Sequence, residues 1–542
     1  MPLALSLLLL AAPGPLQESP QLELDDLASA ARVLRLDLEP AELEQMLPVV
    51  RRQALELERL REHPVAAAEP FALGFDPLLP GREPRLKRFE PTPVLPREVS
   101  GELVGADLAF ADIQTLAGLL RSGQLTCVEL TELTLERLER LDATLNSVVT
   151  LTRERALARA RELDEELEAG RDRGLLHGIP YGAKDLLAAA GAPTTWGARP
   201  YEDQVIDEDA SVIRRLDEAG AVLVAKLSLG ALAMGDEWFR GRTNNPWNPE
   251  QGSSGSSAGS AAATAAGLVP FAIGSETLGS IVSPSVRCGN TSLRPTFGRV
   301  PRGGAMPLSW TMDKLGVLAR SAADCALVFD AIHGADGIDL DAVSRPFALS
   351  GPVGLEGWRL GVVAGELEQD EDLARTVASL RELGVEIVEV QAPRYPVWEM
   401  MVILMAEAAC AFDELTREGL DDQLTQQGDD AWPNLFRAAR LLPAVEYVRA
   451  NRMRMALMRD LDGAIAGVDA LVHVPRNSLL GITNLTGHPC VVAPCGHAPE
   501  GSQPPTIAFT GQLHDEAALL ALVQSWQAST DWDTQRPPGF GD

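Results

Sequence analysis

Apolar residues recur at helical spacing early in the chain, at Leu24, Leu27, Ala31 and Leu34 and again at Leu43, Leu47, Val50, Leu55 and Leu57, with a break around Glu39 and Pro40. This pattern predicts a helical hairpin over residues 20–63. The period is then lost. Residues 64–100 carry eight prolines, Pro64 to Pro96, a composition suited to an extended linker or a strap laid over another domain. The basic cluster inside it, Arg82, Arg85, Lys87 and Arg88, reads as a solvated face. Beyond residue 100, helical patterns at Ile113–Ser122 and Val128–Asp142 precede short β-like runs at Ala221–Ala225, Phe271–Ile273, Leu360–Val363, Val385–Val390 and Ala470–Val474. Strands alternating with helices imply an α/β sheet covered on both faces, here over residues 101–542. No repeat of 20–50 residues is visible, so a solenoid or propeller is not indicated.

The first residues, MPLALSLLLLAAPG, form an apolar run too short to span a bilayer, and small residues follow it. Residues 1–14 therefore resemble a signal peptide, although no Lys or Arg precedes the run; an exported or periplasmic protein is favoured over a cytoplasmic one. No other stretch has the length and polarity of a membrane span. The 542 residues are 46% apolar and 23% charged, as in ordinary globular enzymes, and allow a large domain with an appendage. A formal charge of −30 repels phosphate backbones and anionic lipid, so no nucleic-acid partner is expected. Six cysteines without CxxC spacing and seven scattered histidines point to no disulfide framework, no metal site and no obvious histidine triad.

Two segments concentrate chemistry. Gly252–Gly279 reads GSSGSSAGSAAATAAGLVPFAIGSETLG and runs directly into Ser280. A Ser/Gly loop, a helix of small residues at Ala261–Ala266, a short strand and a second tight turn bring backbone N–H groups close to a ligand, as an oxyanion hole requires. A flexible linker or a phosphate cradle is the plainer alternative, but the nucleotide-binding spacings are absent. The second segment is GIPYGAKDLLAAAG around Lys184. An ammonium is costly to bury there, and burial lowers a lysine pKa toward the neutral amine that a general base must be. Local sequence leaves two alternatives open: an ordinary ion pair with Asp185, or a snorkelling side chain.

Several segments, in order, resemble the amidase-signature family: LHGIPYGAKDLLAAAGAPTTWGA at 176–198, DASVIRRLDEAGAVLVAKLSL at 209–229, TNNPWNP at 243–249, GSSAGSAAATAAGLVPFAIGSETLGSIVSP at 255–284 and CGNTSLRPTFGRVPRGG at 288–304. The resemblance covers about 106–530. It implies a large mixed sheet with helices on both faces and a small N-terminal helical appendage. It also implies a carboxamide hydrolase in which Ser280 is the nucleophile, Ser256, held by a cis peptide in the family, is the proton bridge and Lys184 is the base. The backbone N–H groups of Thr277, Leu278, Gly279 and Ser280 fall on the oxyanion donors, and neither metal nor cofactor is implied. Ser257, Ser309, Asp313 and Arg454 fall where substrate contacts are expected, Arg454 resembling a residue that holds a glutamine carboxylate. Leu278 replaces a glycine; a leucine is strained if the backbone there needs positive φ, and it reshapes the site if it does not. Two alternatives accompany the hydrolase reading: an A-type amidotransferase component that works with partners, and a catalytically impaired scaffold. The expected partner is a small-molecule or peptide amide. The hairpin suits a dimer arm, a lid or an adaptor, so a homodimer stands among the expected assemblies.

Overall fold

The computed structural model describes residues 22–62 and 72–541. The signal-peptide reading of residues 1–14 lies outside them. The chain divides into two compact units, Met1–Glu69 and Pro70–Asp542. In the first, helices span Leu24–Val33 and Pro40–Arg61, with Pro40 entering the first turn of the second helix, where its missing N–H costs nothing. Arg51 ties them by donating Nε to the Leu22 carbonyl at 2.9 Å. Leu27 and Ala31 are buried, whereas no residue of the second helix is.

The second unit is built on a mixed sheet of eleven strands. In chain order these are β1 (Val148–Leu151), β2 (Pro180–Lys184), β3 (Val222–Leu227), β4 (Phe271–Glu276), β5 (Thr291–Arg294), β6 (Lys314–Ala319), β7 (Arg359–Val363), β8 (Glu386–Val390), β9 (Ala470–His473), β10 (Cys490–Pro494) and β11 (Thr506–Gly511). Their spatial order is β1-β3-β2-β4-β6-β5-β10-β11-β9-β7-β8. Neighbours β3, β2 and β4 run parallel, as do β9, β7 and β8, and the remaining pairs are antiparallel. Side chains alternate between the faces of a strand, and every residue of β2, β3, β4, β6, β10 and β11 is buried, so helices cover both faces at the centre. One of these, Ala258–Ala265, is buried at all eight positions. It can approach so closely because a Cβ on Gly259 would lie 2.5 Å from the Ser147 carbonyl and the Ser228 amide.

Residues 72–99 lie along this unit. Arg85 donates to Asp462 at 2.7 Å, Lys87 pairs with Asp469 at 2.8 Å and sits over the Trp358 ring, and Phe75 meets Phe297 edge-to-face at 5.1 Å. The solvated reading of the basic cluster is therefore corrected for Arg85 and Lys87. Both fall beside carboxylates far away in sequence, while Arg82 and Arg88 remain exposed. Among the described residues no helix is long and apolar enough to cross a membrane.

Candidate active site

β2 and β4 run parallel with Ala183 opposite Ile273, so Lys184 and Ser275 come together at the carboxyl ends of two adjacent strands. The crevice beyond such strand ends is where open α/β sheets place their ligands. β4 ends at Glu276 and turns through residues 277–280 into the helix Val282–Cys288. The left-handed residue of this turn is Gly279, at φ +84°; Leu278 is not among the residues of positive φ and carries no such strain. The Ser280 carbonyl accepts the Ser257 N–H at 3.0 Å, which ties the turn to the Ser/Gly loop. In that loop Gly255 faces Gly235, whose carbonyl oxygen would stand 1.8 Å from any Cβ, so only glycine fits. The Gly255–Ser256 peptide is cis.

Lys184 is fully buried, and its Nζ lies 2.7 Å from Ser256 Oγ, 3.1 Å from Ser257 Oγ and 2.9 Å from Ser275 Oγ. All three acceptors are neutral. The carboxylate next to it is spent elsewhere: Asp185 pairs with Lys226 at 2.7 Å, both side chains fully buried, and accepts the Thr195 N–H at 2.9 Å. The local alternative of a Lys184–Asp185 ion pair is thus removed. Burial holds the Lys184 pKa well below its ordinary value, opposed only in part by the negative charges of Asp313 and Glu276. Ser280 remains 8% exposed while Ser256 is 1% exposed. All three side chains are thus buried, Ser280 the least completely.

None of the backbone N–H groups of Thr277, Leu278, Gly279 and Ser280 donates a hydrogen bond among the described residues. The next two, of Ile281 and Val282, are taken by Glu276 Oε2 at 2.8 and 2.9 Å. Four amides at one turn are left free to meet an anionic oxygen. Replacing Gly279 by alanine is expected to cost about 1–2 kcal/mol for the left-handed backbone and to lower activity at the adjoining amides; thermal melts and amide turnover of the variant check this.

The remaining expected residues divide. Ser257 is in the cluster, bridging Lys184 and the Ser275 carbonyl. Asp313 accepts Thr277 Oγ1–H at 2.6 Å and the N–H groups of Leu308 and Ser309 at 2.8 and 2.9 Å, so it braces the turn, and burial pushes its pKa up. Ser309 donates to Glu407 at 2.6 Å. Arg454 is buried with its guanidinium engaged by Thr311 and the Leu485 carbonyl and stacked on Phe75; burial lowers its pKa to about 9. Its donors serve the fold in this structure. Sequence reasoning missed Ser275, Glu276 and Glu407. Ser275 is visible in the sequence only as a hydroxyl at the end of an apolar strand. Glu407 gives no signal there, although it gathers Ser309, Thr311 and Tyr447 around one buried carboxylate. Among the described residues no group of three His, Cys, Asp or Glu side chains could hold a metal ion.

A family model described as Amidase matches residues 129–475. The glutamyl-tRNA(Gln) amidotransferase A subunit of Chloroflexus aurantiacus (strain ATCC 29366 / DSM 635 / J-10-fl) is 34% identical, over 80% of this chain and 99% of that protein. The protein of the same description from Roseiflexus sp. (strain RS-1) is 32% identical, over 77% and 96%. Among solved structures, native peptide amidase from Stenotrophomonas maltophilia superposes with a TM-score of 0.71 at 30% identity, covering 79% of this chain and 98% of that one.

Proposed function

The chain belongs to the amidase family, an amide-hydrolysing enzyme of the amidase-signature type, and from that premise we propose that it cleaves a carboxamide through an acyl-enzyme on Ser280. Ser280 Oγ attacks the carbonyl carbon as its proton passes to Ser256 and the Ser256 proton passes to the neutral Lys184 amine. The oxygen of the tetrahedral intermediate takes its charge among the free amides of Thr277 to Ser280. When the C–N bond breaks, the proton returns from Lys184 through Ser256 to the departing nitrogen. Water then attacks the ester by the same relay, releasing the acid and restoring Ser280. The observation that carries this reading is the buried Lys184 amine, 2.7 Å from Ser256 Oγ, with its neighbouring carboxylate committed to Lys226. In this reading the catalytic domain is residues 101–542, with 20–63 an appended hairpin and 64–100 its strap.

Incubation with a fluorophosphonate followed by intact-mass measurement tests it. One adduct on the wild type, none on Ser280→Ala and much slower formation on Lys184→Ala are expected. An adduct that persists on Ser280→Ala, or none on folded wild type, refutes it.

The amidotransferase relatives favour a second reading, a glutamine-using A-type component of a larger complex. Against it stands Arg454, whose guanidinium is already occupied by Thr311 and Leu485. Release of ammonia from glutamine, assayed with the purified chain alone, separates the two: a free-standing hydrolase shows no preference for glutamine over simple amides.

A further inference from the structure

The loop 308–313 is held by two carboxylates. Asp313 takes the N–H groups of Leu308 and Ser309 on one oxygen and the Thr277 hydroxyl, at 2.6 Å, on the other, so the loop reaches the oxyanion turn through this one side chain. The second carboxylate is Glu407, on the helix Val402–Ala411. Its Oε2 accepts the Ser309 hydroxyl at 2.6 Å and the Thr311 N–H at 3.0 Å, and its Oε1 accepts the hydroxyls of Thr311 and Tyr447, each at 2.9 Å. The Asp313 N–H closes the loop on the Ser309 carbonyl at 2.9 Å, which joins the residues held by Glu407 to the one that holds Thr277.

Glu407 is 4% exposed, and the four donors fill its two oxygens. The positive charge that answers it arrives on the same loop: Arg454 donates Nη1 to Thr311 Oγ1 at 3.0 Å and Nη2 to the Thr311 carbonyl at 2.8 Å. Thr311 is thus fixed from both sides. An apolar side chain of similar size would avoid the cost of burying a carboxylate. It would not supply direction, which is what a site accurate to a fraction of an ångström takes from the residues behind it.

We propose that Glu407 is a positioning residue for the oxyanion turn, acting through Ser309, Thr311 and Asp313 to set the place of Thr277 and of the free amides that begin there. This rests on the assignment of the Ser280 site. Helices Val402–Ala411 and Ala444–Ala464, which carry Glu407, Tyr447 and Arg454, are thereby tied to the geometry of the turn.

The test follows inactivation by a fluorophosphonate, whose phosphoryl oxygen enters the oxyanion hole, in wild type, Glu407→Leu, Glu407→Gln and Ser309→Ala. The limiting rate kinact is expected to fall about tenfold in Glu407→Leu, part of the roughly 10²- to 10³-fold that a whole oxyanion donor supplies. The half-saturating concentration KI is expected to stay within about twofold, because the effect belongs to the transition state. Glutamine can keep its oxygen toward Ser309 and the Thr311 N–H and turn its amide to the two hydroxyl oxygens, so Glu407→Gln is expected to recover most of the rate. Ser309→Ala leaves the carboxylate and its other three donors in place, and is expected to show a smaller loss of kinact should Glu407→Leu fail to fold. Deuterium uptake over residues 277–283 is measured beside these, on the same proteins. It is expected to rise in Glu407→Leu and Ser309→Ala, as the bonded amides of Ile281, Val282 and Ser283 open with the turn. Uptake needs no reaction, so it decides the role of Glu407 even if Ser280 proves not to be the nucleophile. An unchanged kinact in the folded variants, a loss carried by KI, no recovery in Glu407→Gln, or uptake over 277–283 that does not change overturns the proposal.

Discussion

Lys184→Met is expected to lower kcat for amide hydrolysis by about 10²- to 10⁴-fold, the range a positioned general base supplies, while the protein stays folded. Methionine fills the same buried space between Ser256, Ser257 and Ser275 but cannot take a proton. The wild-type pH profile follows from the same chemistry. Because burial holds the Lys184 pKa well below its ordinary value, the neutral amine persists to lower pH than in a free lysine, and kcat/KM is expected to fall as pH falls through that lowered pKa. Stability responds over a different range. Between the folded and unfolded pKa values the unfolded chain binds one more proton than the native one, so wild-type stability rises with pH there, by up to about 1.4 kcal/mol per pH unit, and levels off above the unfolded pKa. Lys184→Met lacks that slope. Urea denaturation of both proteins between pH 7 and 10 measures it, and parallel curves would show that the folded-state amine is not neutral.

The second large effect belongs to Glu276. Its Oε1 meets Arg294 at 2.7 Å with both side chains fully buried, and Asn484 at 2.8 Å, while Oε2 holds the amides of Ile281 and Val282. Arg294 also bonds Thr483 and the His488 carbonyl. Removing one member of a buried pair strands the other, at a cost of about 3–5 kcal/mol. Glu276→Gln is therefore expected to lower the unfolding free energy in urea by that much, with loss of activity as the 277–280 turn loosens. Glu276→Gln/Arg294→Met should be less destabilised than the sum of its single variants, which a double-mutant cycle reads directly. Despite burial, the Arg294 charge and the amide donors hold the Glu276 carboxyl down at about 2. A depressed carboxylate stabilises the fold above its unfolded pKa and loses that contribution as pH falls through the folded value. The window is thus about 4.5 to 2, and Glu276→Gln is expected to lack this part of the acid-unfolding transition.

Lys184, Ser256 and Ser280 stand out in the sequence because small residues crowd around them, and small residues are what close backbone approach requires. The strands are legible where the run is almost wholly apolar, at Leu360–Val363 and at Ala470–Val474 with His473 as its one polar residue. Their ends are lost where a charge enters: β3 continues to Leu227 through Lys226, and β4 continues to Glu276. Both charges are buried because partners arrive from elsewhere, Asp185 on one side and Arg294 on the other. The helix after the Ser loop begins at Ala258, three residues before its alanine run, because Gly259 and Ser260 imitate a loop in sequence while packing needs their small size. Glu407 and the partners of Arg85 and Lys87 are invisible for a different reason. A long-range ion pair or hydrogen bond leaves no local pattern.

The strap has a consequence for how the molecule is made. Phe75 rests on Arg454, Arg85 on Asp462, and Lys87 on Asp469 and Asp515. The anchors of residues among the first to leave the ribosome are thus among the last to be synthesised, some 377 to 428 positions later. The ionic fastenings of the strap cannot form until translation is nearly over. Until then Arg85 and Lys87 lack their carboxylate partners, and long chains of high contact order that wait in this way depend on chaperones. The strap thus reports on completion: a chain truncated before Asp462 keeps Phe297 and Trp358 beneath the strap but lacks the carboxylates of Asp462, Asp469 and Asp515 that fasten Arg85 and Lys87.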